Sequence, residues 1–152
     1  RRCEPAVRAI RFEGAQAARP APGGLEAIRA ADSILIAPSN PFLSVDPLLA
    51  VPGLRAALAE ARAPVVAVSP IIGGAAVKGP TAKLMRELGL AVSPTAVAAH
   101  YAGLLDAMLI DAGDAEDVPG IAVARADILM TTPEDKVRVA RAALTLAETL
   151  RR

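Results

Sequence analysis

The sequence has very few aromatic residues. Phe and Tyr together make up 2% of the 152 residues, and Trp is absent. Because hydrophobic residues still account for 53% of the chain, its core must be packed mainly from Ala, Val, Leu and Ile. Such small side chains suit helices that lie closely on a β-sheet. With only 22% charged residues, the composition also excludes an intrinsically disordered chain.

Three further absences narrow the class of protein. The single cysteine, Cys3, cannot form an internal disulfide, so nothing indicates an oxidising compartment. The formal net charge is +1 and no long block of like charges occurs, so we expect no nucleic-acid partner. No apolar run reaches the roughly 18 residues of a membrane span, and no cleavable signal opens the chain. We therefore expect a cytoplasmic protein without a membrane partner.

Apolar runs alternate with Pro, Gly and polar residues in a way that predicts an α/β fold. Strands are predicted at residues 6–12, 33–37, 64–68, 108–110 and 121–125. Helices are predicted at residues 25–31, 43–50, 54–61, 80–88, 94–105 and from 133 onward. The expected fold class is a Rossmann-like, mostly parallel sheet flanked by helices, with right-handed crossovers. Residues 1–152 are expected to form a single α/β unit, and because the chain begins with Arg1 and enters a strand almost at once, we interpret it as part of a longer protein.

The last predicted helix has a distinct start. Thr132 is the expected N-cap, Pro133 suits the first helical position, and an acidic residue follows at the third. Apolar residues recur there at spacings of three and four, which predicts the face that docks on the sheet. That predicted stripe comprises Val137, Ala140, Leu144, Ala147 and Leu150.

A polar loop follows the strand predicted at 33–37. Residues 38–41 read Pro-Ser-Asn-Pro, so the side chains of Ser39 and Asn40 can project past the carboxyl edge of a parallel sheet. A phosphate or ribose contact is one interpretation. The alternative is that both residues cap the turn and satisfy local backbone groups.

A second loop follows the strand predicted at 64–68. Residues 69–74 read Ser-Pro-Ile-Ile-Gly-Gly, and adjacent glycines permit positive φ and close approach of the backbone to a ligand. Lys78 follows within reach as a mobile cation for a diphosphate. The alternatives are a tight Gly-Gly turn and a solvated surface lysine. Two loops of this kind at one sheet edge suggest phosphate chemistry.

Other polar residues favour structural roles. The aspartates at 111, 114 and 117 lack the regular spacing and terminal Glu of a calcium loop, so we interpret them as turn and cap residues. His100, the single histidine, has no accompanying nucleophile motif and is interpreted as a packing or surface residue. Neither G-x-x-x-x-G-K-[ST] nor G-x-G-x-x-G occurs, which excludes the P-loop and the dinucleotide fingerprint.

The order of short motifs along the chain resembles the 2-phospho-L-lactate transferase (CofD) family. The motifs are Pro-Ser-Asn-Pro at 38–41, Ser-Val-Asp-Pro at 44–47, Val-Pro-Gly at 51–53, the run at 63–74 and Lys-Gly-Pro at 78–80. The resemblance implies transfer of a phospholactyl or phosphoenolpyruvyl group from a guanosine diphosphate conjugate to the deazaflavin 7,8-didemethyl-8-hydroxy-5-deazariboflavin. GMP is released, and the reaction belongs to coenzyme F-420 biosynthesis.

The resemblance also implies roles for individual residues. It assigns Ser39 and Asn40 to the phosphate and donor site. It assigns to the guanine nucleotide the residues Ser69, Gly73, Gly74, Lys78 and Gly79. Magnesium is implied as the cofactor and a homodimer as a family expectation.

The chain departs from the family pattern in two respects. Family members are roughly twice as long and begin with a Gly-Gly-x-Gly loop and acidic residues that bind metal and acceptor, which have no counterpart here. We therefore expect a carboxyl-terminal portion that is inactive alone, with the Mg²⁺ ligands outside this chain and no catalytic residue assigned. Asp127 also lacks the threonine expected beside it, which puts its contribution in doubt.

Two alternatives stay open at this point. A nucleotide-sugar-binding regulator of the gluconeogenesis factor type shares the architecture, although that family has Gly-Ser-Leu-Tyr where residues 39–42 read Ser-Asn-Pro-Phe. The other alternative is an inert α/β fragment.

Overall fold

Four short parallel strands form the central sheet of residues 4–151, the part of the chain that the computed structural model describes. They are β1 (Ile34–Ile36), β2 (Val65–Val68), β5 (Ala107–Asp111) and β6 (Ala122–Ala126), in the order β1-β2-β5-β6. In the segment of chain between β2 and β5, β3 (Ile71–Ile72) and β4 (Ala75–Ala76) form a separate antiparallel hairpin. The parallel α/β fold is thereby confirmed, while Cys3 lies outside the described residues.

Helices occupy most of the connections. They are α1 (Gly24–Ala30), α2 (Asp46–Leu49), α3 (Leu54–Ala59), α4 (Thr81–Glu87), α5 (Pro94–His100) and α6 (Pro133–Thr149). A 3₁₀ turn spans Ala15–Ala17, and a π-helical turn spans Pro41–Val45 directly before α2. The predicted helix at 43–50 is therefore two successive elements. No helix within residues 4–151 combines the length and the apolar character that crossing a bilayer would need.

The two faces of the sheet are covered by different helices. All four residues of β2 are buried, as expected for a parallel strand covered on both sides. Ala67 faces a core that includes Met85 of α4 and Val97 of α5. Val66 and Val68 face the other core, which α6 covers. The sheet thus has a two-sided core built largely from aliphatic residues, as the composition predicts.

The start of α6 is confirmed, and its predicted docking face is confirmed only in part, because Ala147 is buried and Leu150 packs against the core. Thr132 and Asp135 form a capping box in which each side chain accepts a hydrogen bond from the other residue's backbone N–H. Val137 and Leu144 are 49% and 43% exposed, and Ala140 is also exposed. The residues of α6 that are buried are Val139, Ala143, Leu146 and Ala147. The helix is rotated from the predicted stripe, so that Val139, Ala143 and Leu146 pack against the sheet in place of Val137, Ala140 and Leu144.

Residues 6–12 form neither strand nor helix, contrary to the prediction. The Val7 N–H donates to Oε2 of Glu87 in α4 at 3.0 Å, and Val7 and Ile10 pack against the core beside that helix. The apolar residues lie three apart rather than alternating, so they dock on a helix instead of pairing at a sheet edge.

The helix predicted at 94–105 is shorter than expected. Its start is confirmed, because the Ser93 hydroxyl accepts the Ala96 N–H at 3.1 Å. The helix ends at His100, and turns follow to Leu104. Gly103 has φ +76° in these turns, a backbone conformation that a continuing helix does not use.

Candidate functional site

A cavity of about 280 Å³ opens beyond the carboxyl ends of β1, β2 and β6. Its lining residues come from the segments that follow these strands: Pro38, Ser39, Asn40, Ser69, Pro70, Ile72, Val77, Lys78, Gly79, Pro80, Thr81, Ile128, Leu129 and Met130. Parallel α/β sheets bind ligands at this edge. The structure thus brings together five of the seven residues predicted for the site, namely Ser39, Asn40, Ser69, Lys78 and Gly79.

The side-chain amide of Asn40 is oriented through its oxygen, and its nitrogen is a buried donor. Its Oδ1 accepts the N–H groups of Phe42 and Leu43, both at 3.0 Å, which caps the π-helical turn Pro41–Val45. Its Nδ2 is buried and has no hydrogen-bond partner within residues 4–151. A buried amide donor without a partner costs free energy unless a ligand or water satisfies it. The site therefore contains a donor that is oriented by its own turn.

Ser39 and Lys78 are polar residues of the cavity that lack internal partners. Within the described part of the chain, neither the Ser39 hydroxyl nor the Lys78 ammonium makes a side-chain hydrogen bond, and Lys78 forms no ion pair. Lys78 is exposed and is followed by Gly79 at φ +69°. An exposed ammonium beside a glycine turn can move towards an anion in the cavity.

Ser69 lines the cavity, but its hydroxyl is already used. The hydroxyl donates to the carbonyl of Ile71 at 3.0 Å and accepts the Ile71 N–H at 3.1 Å. The Ser69 N–H donates to the carbonyl of Leu109 in β5. Ser69 is 1% exposed. Its side chain shapes the turn after β2, and its predicted contact with a nucleotide stays a prediction.

Gly73 and Gly74 lie away from the cavity, in the turn between β3 and β4. Their φ angles are +56° and +72°, so the predicted positive φ is found at both. The Gly73 N–H donates to Oδ1 of Asp114 at 2.9 Å, which fastens the hairpin to the loop after β5. Asp114 is 8% exposed, and its Oδ2 has no partner within the described residues. These glycines build the hairpin that precedes Lys78.

An apolar wall lines the cavity beside its polar residues, and residues 128–130 of this wall were not predicted as site residues. We use this name for Ile72, Val77 and residues 128–130, which lie on the hairpin and on the segment after β6. Leu129 and Val77 are 43% and 48% exposed. Apolar side chains that stay exposed around polar groups are typical of ligand pockets. The signal in the sequence was the apolar run after β6, which also suits a core segment.

Arg138 of α6 holds the segment that carries part of the apolar wall. Its guanidinium donates to the carbonyls of Asp127 and Leu129 at 3.2 and 2.9 Å. It also forms ion pairs with the carboxylates of Asp127 and Asp135 at 3.0 and 2.9 Å. The Asp127 side chain is therefore engaged with α6 and is absent from the lining of the cavity.

His100 packs against the turn that begins at Asn40. Its Nε2 lies 2.8 and 3.0 Å from the two carboxylate oxygens of Asp46, and its ring stands edge-on to Phe42 at 4.8 Å. Burial, and secondly the charge of Asp46, raise the pKa of Tyr101 beside it, so that phenol stays protonated. The interpretation of His100 as a packing residue is confirmed.

The aspartates after β5 act as turn residues, as predicted. Asp111 Oδ1 accepts the Gly113 N–H at 2.9 Å, and the Asp114 N–H donates to the carbonyl of Asp111. Within residues 4–151, no group of three or more His, Cys, Asp or Glu side chains is arranged to hold a metal ion. The cavity lining contains no carboxylate and no imidazole. Its polar chemistry is that of hydrogen-bond donors and one cation.

Comparison with protein families identifies the chain. The family model described as 2-phospho-L-lactate transferase CofD matches residues 1–144. The chain belongs to the CofD family. The family predicted from the motif order is thereby confirmed.

Curated CofD relatives named phosphoenolpyruvate transferase align with most of the chain. The one from Streptomyces coelicolor is 46% identical over 144 residues, and the one from Kitasatospora aureofaciens is 48% identical over the same length. Each alignment covers 91% of this chain and 45% of the relative. The chain therefore spans about half the length of these CofD relatives.

A solved structure supports the CofD fold. The crystal structure of a UPF0052-family protein from Bacillus halodurans superimposes with a TM-score of 0.57 at 23% identity. The match covers 83% of this chain and 47% of that protein. At this identity the likeness concerns the fold alone.

Proposed function

We propose that this chain supplies the donor-binding half of a CofD transferase that moves a phosphoenolpyruvyl group from a guanosine diphosphate conjugate to a deazaflavin acceptor. Membership of the CofD family and the printed name of its relatives support the transferase class and the enolpyruvyl group. The observation that carries the proposal is that Asn40, whose Nδ2 is buried without a partner within residues 4–151, lines a cavity that Lys78 also lines. An amide donor and an ammonium facing one cavity suit a diphosphate.

The proposed reaction is a displacement at phosphorus. The oxygen of an acceptor hydroxyl forms a bond to the phosphorus that carries the enolpyruvyl group, the bridging P–O bond to GMP breaks, and the hydroxyl proton is released. The cavity lining lacks a carboxylate or imidazole that could take this proton. In this proposal the described residues contribute positioning and charge stabilisation, which dominate phosphoryl transfer.

Each wall of the cavity has a part in the proposal. Asn40 Nδ2 donates to a phosphate oxygen, Lys78 neutralises charge on the diphosphate, and Ser39 supplies a further hydroxyl. The apolar wall covers the planar ring of the nucleotide. The donor conjugate has both a charged and a planar part, so a cavity with one polar and one apolar side matches its chemistry.

Magnesium is implied by the family, but the described residues around the cavity do not form a site for it. No carboxylate lines the cavity, and Mg²⁺ is usually held by one or two carboxylates together with substrate phosphates. No step is therefore assigned to the metal. Ligands for it outside this chain stay a prediction.

Calorimetry with GDP tests the binding half of the proposal on the 152-residue chain. Lys78→Ala should weaken GDP binding by about 1 to 2 kcal/mol, because it removes a charge-assisted phosphate contact. Lys136→Ala is the matched control, since Lys136 is an exposed lysine on α6 that does not line the cavity. Equal affinities in the two variants would remove Lys78 from the site.

Release of GMP from the donor conjugate, with deazaflavin acceptor and magnesium present, tests the reaction. The full-length Streptomyces coelicolor relative serves as reference and the 152-residue chain as sample. We expect GDP binding by the chain and no turnover by the chain alone. A relative that releases no GMP, combined with nucleotide-sugar binding by the chain, would contradict the transferase and favour a regulator.

A further inference from the structure

The Asp46–His100 pair is a close, oriented contact between two elements. His100 is the last residue of α5, and Asp46 is the first residue of α2. His100 Nε2 lies within hydrogen-bond distance of both carboxylate oxygens of Asp46, at 2.8 and 3.0 Å. A lone pair on Nε2 would repel both oxygens, so this nitrogen carries the proton and donates. The side chains are about three-quarters buried, with 25% and 23% exposed, which limits competition from water.

The His100 ring also contacts the preceding turn. The centroids of His100 and Phe42 lie 4.8 Å apart, with the rings inclined by 67° in an edge-to-face arrangement. Phe42 and Asp46 are four residues apart, and the Asp46 N–H donates to the carbonyl of Pro41. His100 therefore contacts both ends of the same turn, through the ring of Phe42 and the carboxylate of Asp46.

Asn40 closes the other side of that turn. Its Oδ1 accepts the N–H of Phe42, the residue whose ring packs on His100, and its carbonyl accepts the N–H of Ser44. With Oδ1 held by the backbone, Nδ2 is left buried without a hydrogen-bond partner within residues 4–151, in a residue that lines the cavity. A displacement of Phe42 would move the acceptor bonds of Asn40 and, with them, the direction of Nδ2.

We infer that His100, through its hydrogen bond to Asp46 and its packing on Phe42, is the positioning residue that aims the Asn40 amide into the cavity. The consequence for ligand binding rests on the proposed function, whereas the positioning itself does not. His100 is absent from the cavity lining, so it acts through the turn and not on a ligand.

The composition offers a direct readout of the Asn40 amide. Asn40 is the single asparagine and Gln16 the single glutamine of the chain, so ¹⁵N-labelled protein has two side-chain NH₂ pairs. Gln16 lies in the exposed 3₁₀ turn near the amino terminus and serves as an internal reference. His100→Phe keeps a ring against Phe42 and removes the donor to Asp46. We expect the Asn40 pair to shift or broaden in this variant while the Gln16 pair stays unchanged.

A second pair of variants guards against misfolding and tests rescue. Asp46→Ala should reproduce the change in the Asn40 pair, and it carries the test where His100→Phe loses its native spectrum. Asp46→Asn keeps an acceptor for Nε2–H and should leave the pair close to its original position. An Asn40 pair that is unmoved in both His100→Phe and Asp46→Ala overturns the inference.

GDP calorimetry on the same variants links the positioning to the site. His100→Phe should weaken GDP binding about threefold to tenfold, because misdirected donors lose much of a charge-assisted contact. In an Asn40→Ala background the same substitution should have no further effect, since the group it positions is gone. Additive effects of the two substitutions overturn the inference. If the unaltered chain does not bind GDP, the proposed function fails, and the NMR result alone decides the positioning role.

Discussion

The two walls of the cavity are built in different ways. The polar wall consists of Ser39, Asn40, Ser69 and Lys78. Here Asn40 is oriented by hydrogen bonds to its own turn, and the Ser69 hydroxyl bonds to the turn that follows β2. On the apolar wall, Leu129 owes its place to a residue of another element, because Arg138 of α6 donates to its carbonyl at 2.9 Å. Hydrogen bonds within local turns thus orient the polar side chains, whereas a contact from a separate helix holds the backbone of the segment that carries Leu129.

This difference explains which wall could be predicted. Polar residues in the loops after apolar strands are typical of ligand sites in parallel sheets, so Ser39, Asn40 and Lys78 were predicted as site residues. Ile, Leu and Met after β6 have the composition of a core, and one of them, Ile128, is in fact 4% exposed and part of it. Only the position of α6 leaves Leu129 exposed at the cavity.

The largest effect is expected from Asn40→Asp. This substitution separates the capping role of the side-chain oxygen from the donor role of the side-chain nitrogen. The carboxylate still offers an oxygen to the N–H groups of Phe42 and Leu43, which preserves the cap, but its second oxygen is buried without a partner, so the thermal midpoint should fall. It replaces the buried donor by a negative charge beside the phosphates. GDP affinity should fall about 100-fold, or about 3 kcal/mol, in calorimetry.

Asn40→Ala is the companion variant, because it removes the cap and the donor together. It should lower the free energy of unfolding by about 1 kcal/mol and GDP affinity about tenfold. An Asn40→Asp protein that binds GDP as well as the unaltered chain would show that the polar wall is only a capped turn.

Leu129→Ser is expected to have a smaller effect, confined to ligands with a ring. Removing an exposed apolar side chain from the apolar wall should weaken GDP binding about fivefold, or about 1 kcal/mol, and leave inorganic pyrophosphate binding unchanged. Lys78→Ala should weaken both ligands. Leu144→Ser is the matched control, because Leu144 is also 43% exposed but lies on α6 away from the cavity. Equal losses for GDP and pyrophosphate would contradict the division into two walls.

Arg138→Met tests the support that α6 gives to the apolar wall. The guanidinium is partly exposed, so its ion pairs count for little, and its two bonds to backbone carbonyls matter more. We expect the free energy of unfolding in urea to fall by about 1 kcal/mol and GDP affinity to fall about twofold. Arg141→Met, an exposed arginine on the same helix, should change neither quantity. An Arg138→Met protein with unchanged stability would show that the segment after β6 keeps its position without the bonds from Arg138.

The fold was predictable where local signals and tertiary packing agree. The four sheet strands and the capped start of α6 at Thr132 follow from short-range patterns, and the structure contains them. The failures lie where packing decides: Val7 and Ile10 pack against the core instead of extending the sheet, and α6 buries Val139 and Leu146 instead of Val137 and Leu144. His100 contacts Phe42 and Asp46, which lie more than fifty positions away in the sequence, so no local pattern indicates these contacts.

The smallest expected effect is the pH dependence of the stability that Asp135 contributes at the start of α6. Hydrogen bonds from the backbone N–H groups of Thr131 and Thr132, and then from the Thr131 hydroxyl, hold the pKa of Asp135 well below its ordinary value near 4. The folded state thus binds this proton less readily than the unfolded state. The stability contributed by Asp135 is fully present above about pH 4 and is lost progressively as the pH falls below it. The Asn40 cap of the polar wall is an amide and does not titrate.

Urea unfolding of the unaltered chain and Asp135→Asn at pH 7, 5 and 3 measures this contribution. The difference between the two proteins should be the same at pH 7 and 5 and smaller at pH 3, because only the carboxylate form makes the full set of bonds. Glu134→Gln, which removes an exposed carboxylate one residue earlier, controls for the change in charge. A difference that stays constant down to pH 3 would mean that Asp135 supports α6 and Arg138 by its shape and not by its charge.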